Sequence, residues 1–125
     1  MERIAVVGAG LIGRAWAMVF ARAGCSVTLW DKLPGVAEAS MEQIRARLGD
    51  LRAAGLVEEE PGAIAARIRP VAALDACLAD AVHVQEQGPE RVEVKRELFA
   101  ELDALSPPGA VLASSTSGIP ASAFT

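Results

Sequence analysis

Apolar residues in this chain come in short runs separated by polar and glycine-containing breaks, and the runs alternate between two periods. Ile4-Ala5-Val6-Val7 is apolar without interruption, as in a strand covered on both faces, and predicts a strand over 3–7. From Leu11 the period becomes helical. Ile12, Trp16, Val19, Phe20 and Ala23 fall on one face and Gly24 stops the segment, predicting a helix over 11–23 that buries that face. Val27-Thr28-Leu29-Trp30 predicts a second strand over 26–30. After Leu33-Pro34-Gly35 a helical pattern runs to Ala54, with Ala37, Met41, Ile44, Leu48 and Leu51 on one side and Gly55 as its stop. Gly49 inside it costs about 1 kcal/mol relative to alanine and marks a place for a kink.

Leu56–Ala66 is ambiguous: Glu58-Glu59-Glu60-Pro61 reads as a solvated acidic loop that leads into a helical turn over 62–67. A third strand is expected over 68–71, one or two helical turns over 73–78, and a buried fourth strand over 81–85. Gly88-Pro89-Glu90 opens a helix with Val94, Leu98, Leu102 and Leu105 as its apolar stripe, stopped by Ser106-Pro107-Pro108-Gly109. A fifth strand, 110–113, runs into Ser114-Ser115-Thr116-Ser117-Gly118, and Pro120 is placed to start a further helix. Strands alternating with helices predict an α/β fold, a doubly wound parallel sheet of the Rossmann type that is cut off after its fifth strand. The expected strand order is 3-2-1-4-5, with the reversal between strands 1 and 4.

The stretch Gly8-Ala9-Gly10-Leu11-Ile12-Gly13 sits between the first strand and the first helix, with the spacing G-x-G-x-x-G. Gly8 permits the sharp exit from the strand, Gly10 lets a pyrophosphate approach bare backbone, and Gly13 lets the helix lie close to the sheet. The pyrophosphate belongs over the helix N-terminus, where free N–H groups and the helix dipole favour negative charge. Gly8, Gly10, Leu11, Ile12 and Gly13 are therefore candidate cofactor-binding residues. Asp31 ends the second strand at the offset expected of a ribose-binding carboxylate. A 2′-phosphate would meet like charge there, so NAD is expected over NADP, although Lys32 offers partial neutralisation. The competing role for Asp31 is a turn residue that caps the next segment. Asp31, Glu86 and Ser114–Ser117 all follow strands at the edge where such sheets bind ligands.

Composition narrows the function classes. The 125 residues suffice for one domain with a core, and 52% hydrophobic content argues against disorder. Tyr is absent and there are three Phe and two Trp, so the core is aliphatic and alanine-rich. A net charge of −4 gives no overall field toward nucleic acid or anionic membrane. No apolar run is long enough to span a bilayer, and the first strand begins too early to leave room for a signal peptide. A cytoplasmic location is therefore expected. Cys25 and Cys77 lack neighbours at metal-ligand spacing and read as buried free thiols, with no metal site. His83, the one histidine, falls inside the fourth strand pattern and reads as a partly buried structural residue.

Ile4–Ala17, the segment Val84-Gln85-Glu86-Gln87-Gly88-Pro89-Glu90, Lys95 and Ser114–Gly118 together resemble the 3-hydroxyacyl-CoA dehydrogenase family, over nearly the whole chain. Gly10–Ala17 and Ser114–Ile119 are most similar to its lambda-crystallin and L-gulonate 3-dehydrogenase branch. The glycine spacing is shared by many families, whereas the Pro-Glu…Lys helix followed by Ser-x-Thr-Ser is far more selective. The resemblance implies that residues 1–125 are an NAD-binding domain, with Glu90 and Lys95 near the nicotinamide end of NAD. It implies that Ser117 hydrogen-bonds the substrate hydroxyl or keto oxygen, a task that suits a small donor–acceptor group. It also implies a small-molecule substrate, a place in fatty-acid metabolism, and a homodimer for the full-length protein. The family's catalytic His beside Asn-Pro, its partner Glu and a helical substrate domain are expected outside these residues. The chain alone is then expected to bind NAD without turnover.

A rival of another class is a stand-alone regulatory module that senses NAD or a related nucleotide. Its length fits, but it needs neither Ser114–Ser117 nor the Glu90/Lys95 pair. A methyltransferase with a glycine loop is disfavoured by the close glycine spacing.

Overall fold

The structure, a computed structural model, describes residues 2–87 and 92–114, without the side chains of 92–95. Strands β1 (Arg3–Val7), β2 (Ser26–Trp30), β3 (Ile68–Pro70), β4 (His83–Glu86) and β5 (Val111–Ser114) form one parallel sheet. Its order is β3-β2-β1-β4-β5, as the alternation of patterns predicts. β1 lies between β2 and β4, and Ile4, Ala5, Val6 and Val7 are all buried. Pro70, which has no N–H to give a ladder, sits on the edge strand β3.

Helices cover both faces. α1 (Leu11–Arg22), α2 (Val36–Ala53) and α3 (Pro61–Ala65) pack with Ile4, Val6, Val27, Leu29 and Ile68. α4 (Leu74–Leu78) and α5 (Val92–Leu105) pack with Ala5, Val7 and Val84 on the opposite face. Alternate β1 residues thus serve alternate cores. α2 buries Ala37, Met41, Ile44 and Leu48 as its stripe predicts, and it runs through Gly49 without a break.

Three sequence expectations need correction. The face of α1 against the sheet is Gly13, Ala17 and Ala21, while Ile12 and Val19 are 55% and 51% exposed. The reason is proximity: a Cβ at Gly13 would lie 1.7 Å from the Gly8 carbonyl oxygen, so only small residues fit beneath the helix. Trp16 stacks on Phe20 at the flank, and Phe20 leans on His83, both at 5.6 Å between centroids. In α5, Phe99 and Leu102 are buried and Leu105 is exposed. Strands β4 and β5 each run one residue further than their apolar patterns, to Glu86 and Ser114. The two residues are paired in register, and the Ser114 hydroxyl donates to Glu86 Oε1 at 2.9 Å, so a buried carboxylate is solvated inside the sheet.

The acidic run is also paired rather than merely solvated. Glu59 accepts from Arg67 Nη1 at 2.9 Å and forms an ion pair with it, and Glu60 pairs with Arg52. The Arg67 hydrogen bond holds the Glu59 carboxyl below its ordinary range. Cys77 is buried beneath β2, where its carbonyl oxygen accepts from Thr28 Oγ1 at 2.7 Å; burial pushes its thiol up to about 11. Cys25 is half-buried, and both thiols are free. Among the described residues no helix is long and apolar enough to cross a membrane, and no metal-ligating cluster forms.

Candidate functional site

The site is built where β1, β2 and β4 end side by side. Gly8 leaves β1 at φ +109°, a left-handed conformation that a side chain would strain, and its N–H donates to the Trp30 carbonyl of β2 at 2.7 Å. Gly10 caps α1 without a side-chain bond, and the first intrahelical bond runs from Arg14 N to Gly10 O at 2.9 Å. The first-turn N–H groups at Leu11, Ile12 and Gly13 therefore have no helical acceptor, and they carry the positive end of a twelve-residue helix.

A cleft of about 480 Å³ opens beside this turn, lined by Gly8, Gly10, Trp30, Asp31, Lys32 and Gln87. Glu97 and Glu101 of α5 form its far wall. Three of its four charged lining groups are carboxylates, an electrostatic setting that favours a ribose diol over a 2′-phosphate. A larger hollow of about 760 Å³ lies between α1 and α2, lined by Ile12, Trp16 and Val19 and also by Arg14, Gln43 and Arg47. It reaches neither Gly10 nor Asp31, so the smaller cleft is the candidate cofactor site.

Asp31 takes the turn-capping role read from the sequence and adds a bond to the glycine turn. Its Oδ1 accepts from Leu33 N at 2.9 Å, a local turn cap, and its Oδ2 accepts from Ala9 N at 2.8 Å, which ties the glycine turn to β2. A carboxylate has about four acceptor positions, so these two bonds leave lone pairs for a ribose diol. The two remaining glycines of the turn differ in what demands them. Gly13 is required by the protein itself, through the Gly8 carbonyl under it. A Cβ on Gly10 would meet no protein atom within 4 Å, and its backbone is in an extended region that any residue adopts. The free space there fits a pyrophosphate lying over the turn.

Glu90 and Ser117 lie outside the described residues, as does the side chain of Lys95; the Lys95 backbone is in the first turn of α5. His83 begins β4, at the end of the strand remote from the cleft, with Nε2 3.0 Å from Gln85 Oε1. Sequence reasoning missed Gln87. It lines the cleft directly after β4, and its Nε2 donates to the carbonyls of Val7 and Gly8 at 2.9 and 3.0 Å. It lies in the segment that carries the family resemblance, but its role is not legible there because its partners are 80 and 79 residues away.

The model of the 3-hydroxyacyl-CoA dehydrogenase NAD-binding domain matches residues 3–125. An L-carnitine dehydrogenase of Streptomyces coelicolor is 42% identical over 120 residues, covering 96% of this chain and 37% of the relative. A lambda-crystallin homolog of Bos taurus is 40% identical over 116 residues, covering 91% of this chain and 36% of the relative. The crystal structure of 3-hydroxybutyryl-CoA dehydrogenase from Escherichia coli K12 superposes with a TM-score of 0.90 at 35% identity, over 98% of this chain and 26% of that one. The chain thus spans little more than a third of the length of these curated relatives.

Proposed function

The chain belongs to the 3-hydroxyacyl-CoA dehydrogenase family, matching its NAD-binding domain, and from that premise we propose that it is the cofactor-binding part of an NAD-dependent oxidoreductase that oxidises the 3-hydroxyl of a 3-hydroxyacyl-CoA or related 3-hydroxy acid. The observation that carries the reading is that Gly10, with its open backbone, and the Asp31 carboxylate line one cleft beside the N-terminus of α1, whose first-turn N–H groups have no helical acceptor. NAD, when bound, supplies the hydride acceptor. The chain's own part is to hold and orient: the α1 N-terminus faces the pyrophosphate and Asp31 faces the adenosine ribose. By the family resemblance Glu90 and Lys95 stand near the nicotinamide end, and Ser117 holds the substrate oxygen.

The relatives named L-carnitine dehydrogenase incline the substrate toward a free hydroxy acid, while the structural neighbour named for 3-hydroxybutyryl-CoA keeps the thioester in view. Alcohol oxidation also needs a general base near neutral pH. The one histidine, His83, lies within the sheet at the wrong end of β4. The 125-residue chain by itself therefore binds NAD without turnover, and the base comes from elsewhere in a longer, homodimeric cytoplasmic protein. Calorimetric titration with NAD and NADP, alongside a turnover assay on 3-hydroxybutyryl-CoA and L-carnitine, tests this. NAD binding in preference to NADP, with no NADH formed, is the expected result. A folded chain that releases no heat with NAD, or one that turns over, would overturn it.

A further inference from the structure

The Gly8–Ala9 peptide is held at both ends by side chains from different strands. Its N–H donates to Asp31 Oδ2 at 2.8 Å, from the end of β2. Its carbonyl accepts from Gln87 Nε2 at 3.0 Å, from the end of β4. We propose that Gln87 is a positioning residue for the cofactor pyrophosphate, acting through this one peptide plane; the inference rests on the NAD-binding reading above.

The need for such a clamp follows from the turn itself. Gly8 has φ +109°, and a glycine flanking a peptide leaves that plane little steric resistance to rotation. Rotation would swing the Gly8 carbonyl away from Gly13, where a Cβ would stand only 1.7 Å from it, and turn it toward the cleft. A carbonyl oxygen facing the cleft would oppose a pyrophosphate, whereas in the present orientation that oxygen is turned to the Gln87 amide and the underside of Gly13. Gln87 also braces the preceding peptide. Val7 O accepts both the Gln87 backbone N–H at 3.1 Å and its Nε2 at 2.9 Å. The side chain is committed to donation. Its Oε1 is buried and has no donor among the described residues, a desolvation cost carried while both amide hydrogens are used on the turn. Asp31 holds this peptide at its N–H end and Gln87 at its carbonyl end, so losing the amide frees the carbonyl while the bond to Asp31 stays.

The test compares ligands that do and do not carry phosphate. In Gln87→Ala, NAD and ADP should bind about tenfold more weakly, the factor that corresponds to 1.4 kcal/mol. Adenosine, followed by NMR titration, should bind as it does to the wild type. Amide exchange at Ala9 should accelerate, because its peptide plane is no longer held at the carbonyl end. Gln87→Met keeps the side-chain length and removes only the amide, and it serves as the second variant if Gln87→Ala does not fold. Unchanged NAD affinity, or equal losses for NAD and adenosine, would overturn the clamp. A wild-type chain that binds no NAD would instead refute the cofactor reading and take this inference down with it.

Discussion

On the β1–β2 side of the cleft, every part of the site comes from one contiguous stretch: the glycine turn, the N-terminus of α1 and Asp31 lie within residues 8–31. On the β4 side, Gln87 reaches the same cleft from more than 50 residues further along, after Glu86, which Ser114 of β5 meets inside the sheet. The first side is a local motif with a recognisable spacing. The second bonds that motif's carbonyls through a side-chain amide. A recognition element written locally still depends on distant residues for the orientation of its backbone.

The sharpest way to break this comparison is within the turn. Gly13→Ala places a methyl group 1.7 Å from the Gly8 carbonyl oxygen, so the backbone of the turn or the seat of α1 must shift. We expect a loss of about 4 kcal/mol or failure to fold, read by thermal or urea unfolding. Asp31→Ala removes the acceptor of Ala9 N and Leu33 N together with the carboxylate proposed to hold the ribose. NAD affinity should fall by about 10- to 100-fold, following about 1.5–3 kcal/mol for hydrogen bonds to a charged group, and the preference for NAD over NADP should shrink.

Gly10→Ala separates ligand from protein. The added methyl meets no protein atom, so stability should stay within about 0.5 kcal/mol of the wild type. NAD affinity should nevertheless drop at least about tenfold. Equal affinity for NAD in that variant would place the pyrophosphate elsewhere.

Two smaller effects test the periphery. Cys77 should resist thiol reagents in the native state while Cys25 reacts first, because burial holds the Cys77 thiol protonated up to about pH 11. Mass spectrometry after brief alkylation distinguishes the two. The Glu59–Arg67 pair gives a pH effect of defined sign. Its folded pKa lies below the ordinary value of 4.5, so its contribution is present above that pH and is lost as pH falls through the depressed value. Exposure keeps the effect small, and comparing acid unfolding of Glu59→Gln with the wild type would reveal it.

Periodicity and spacing carried the sheet order, the glycine turn, Asp31 and the α2 stripe. These are set by near neighbours in the chain, and each has a local signature. The same reasoning went astray on α1, where the largest apolar residues were assigned to the core. Ile12 and Val19 are exposed because the helix lies too close to the Gly8 carbonyl for any large residue beneath it, a constraint that Gly13 announces and the hydrophobic count ignores. Glu86 and Ser114 extend their strands although charge and hydroxyl resemble loop residues, because each satisfies the other inside the sheet.

The order of residues by itself determined that strands would alternate with helices, that a turn without side chains would follow the first strand, and that a carboxylate would end the second. Those features need only backbone geometry and the chemistry of neighbours. Tertiary structure alone decided that an amide following β4 would bond the carbonyls of Val7 and Gly8. Those atoms are brought together by the parallel pairing of β1 with β4, and no local pattern in the chain encodes their meeting.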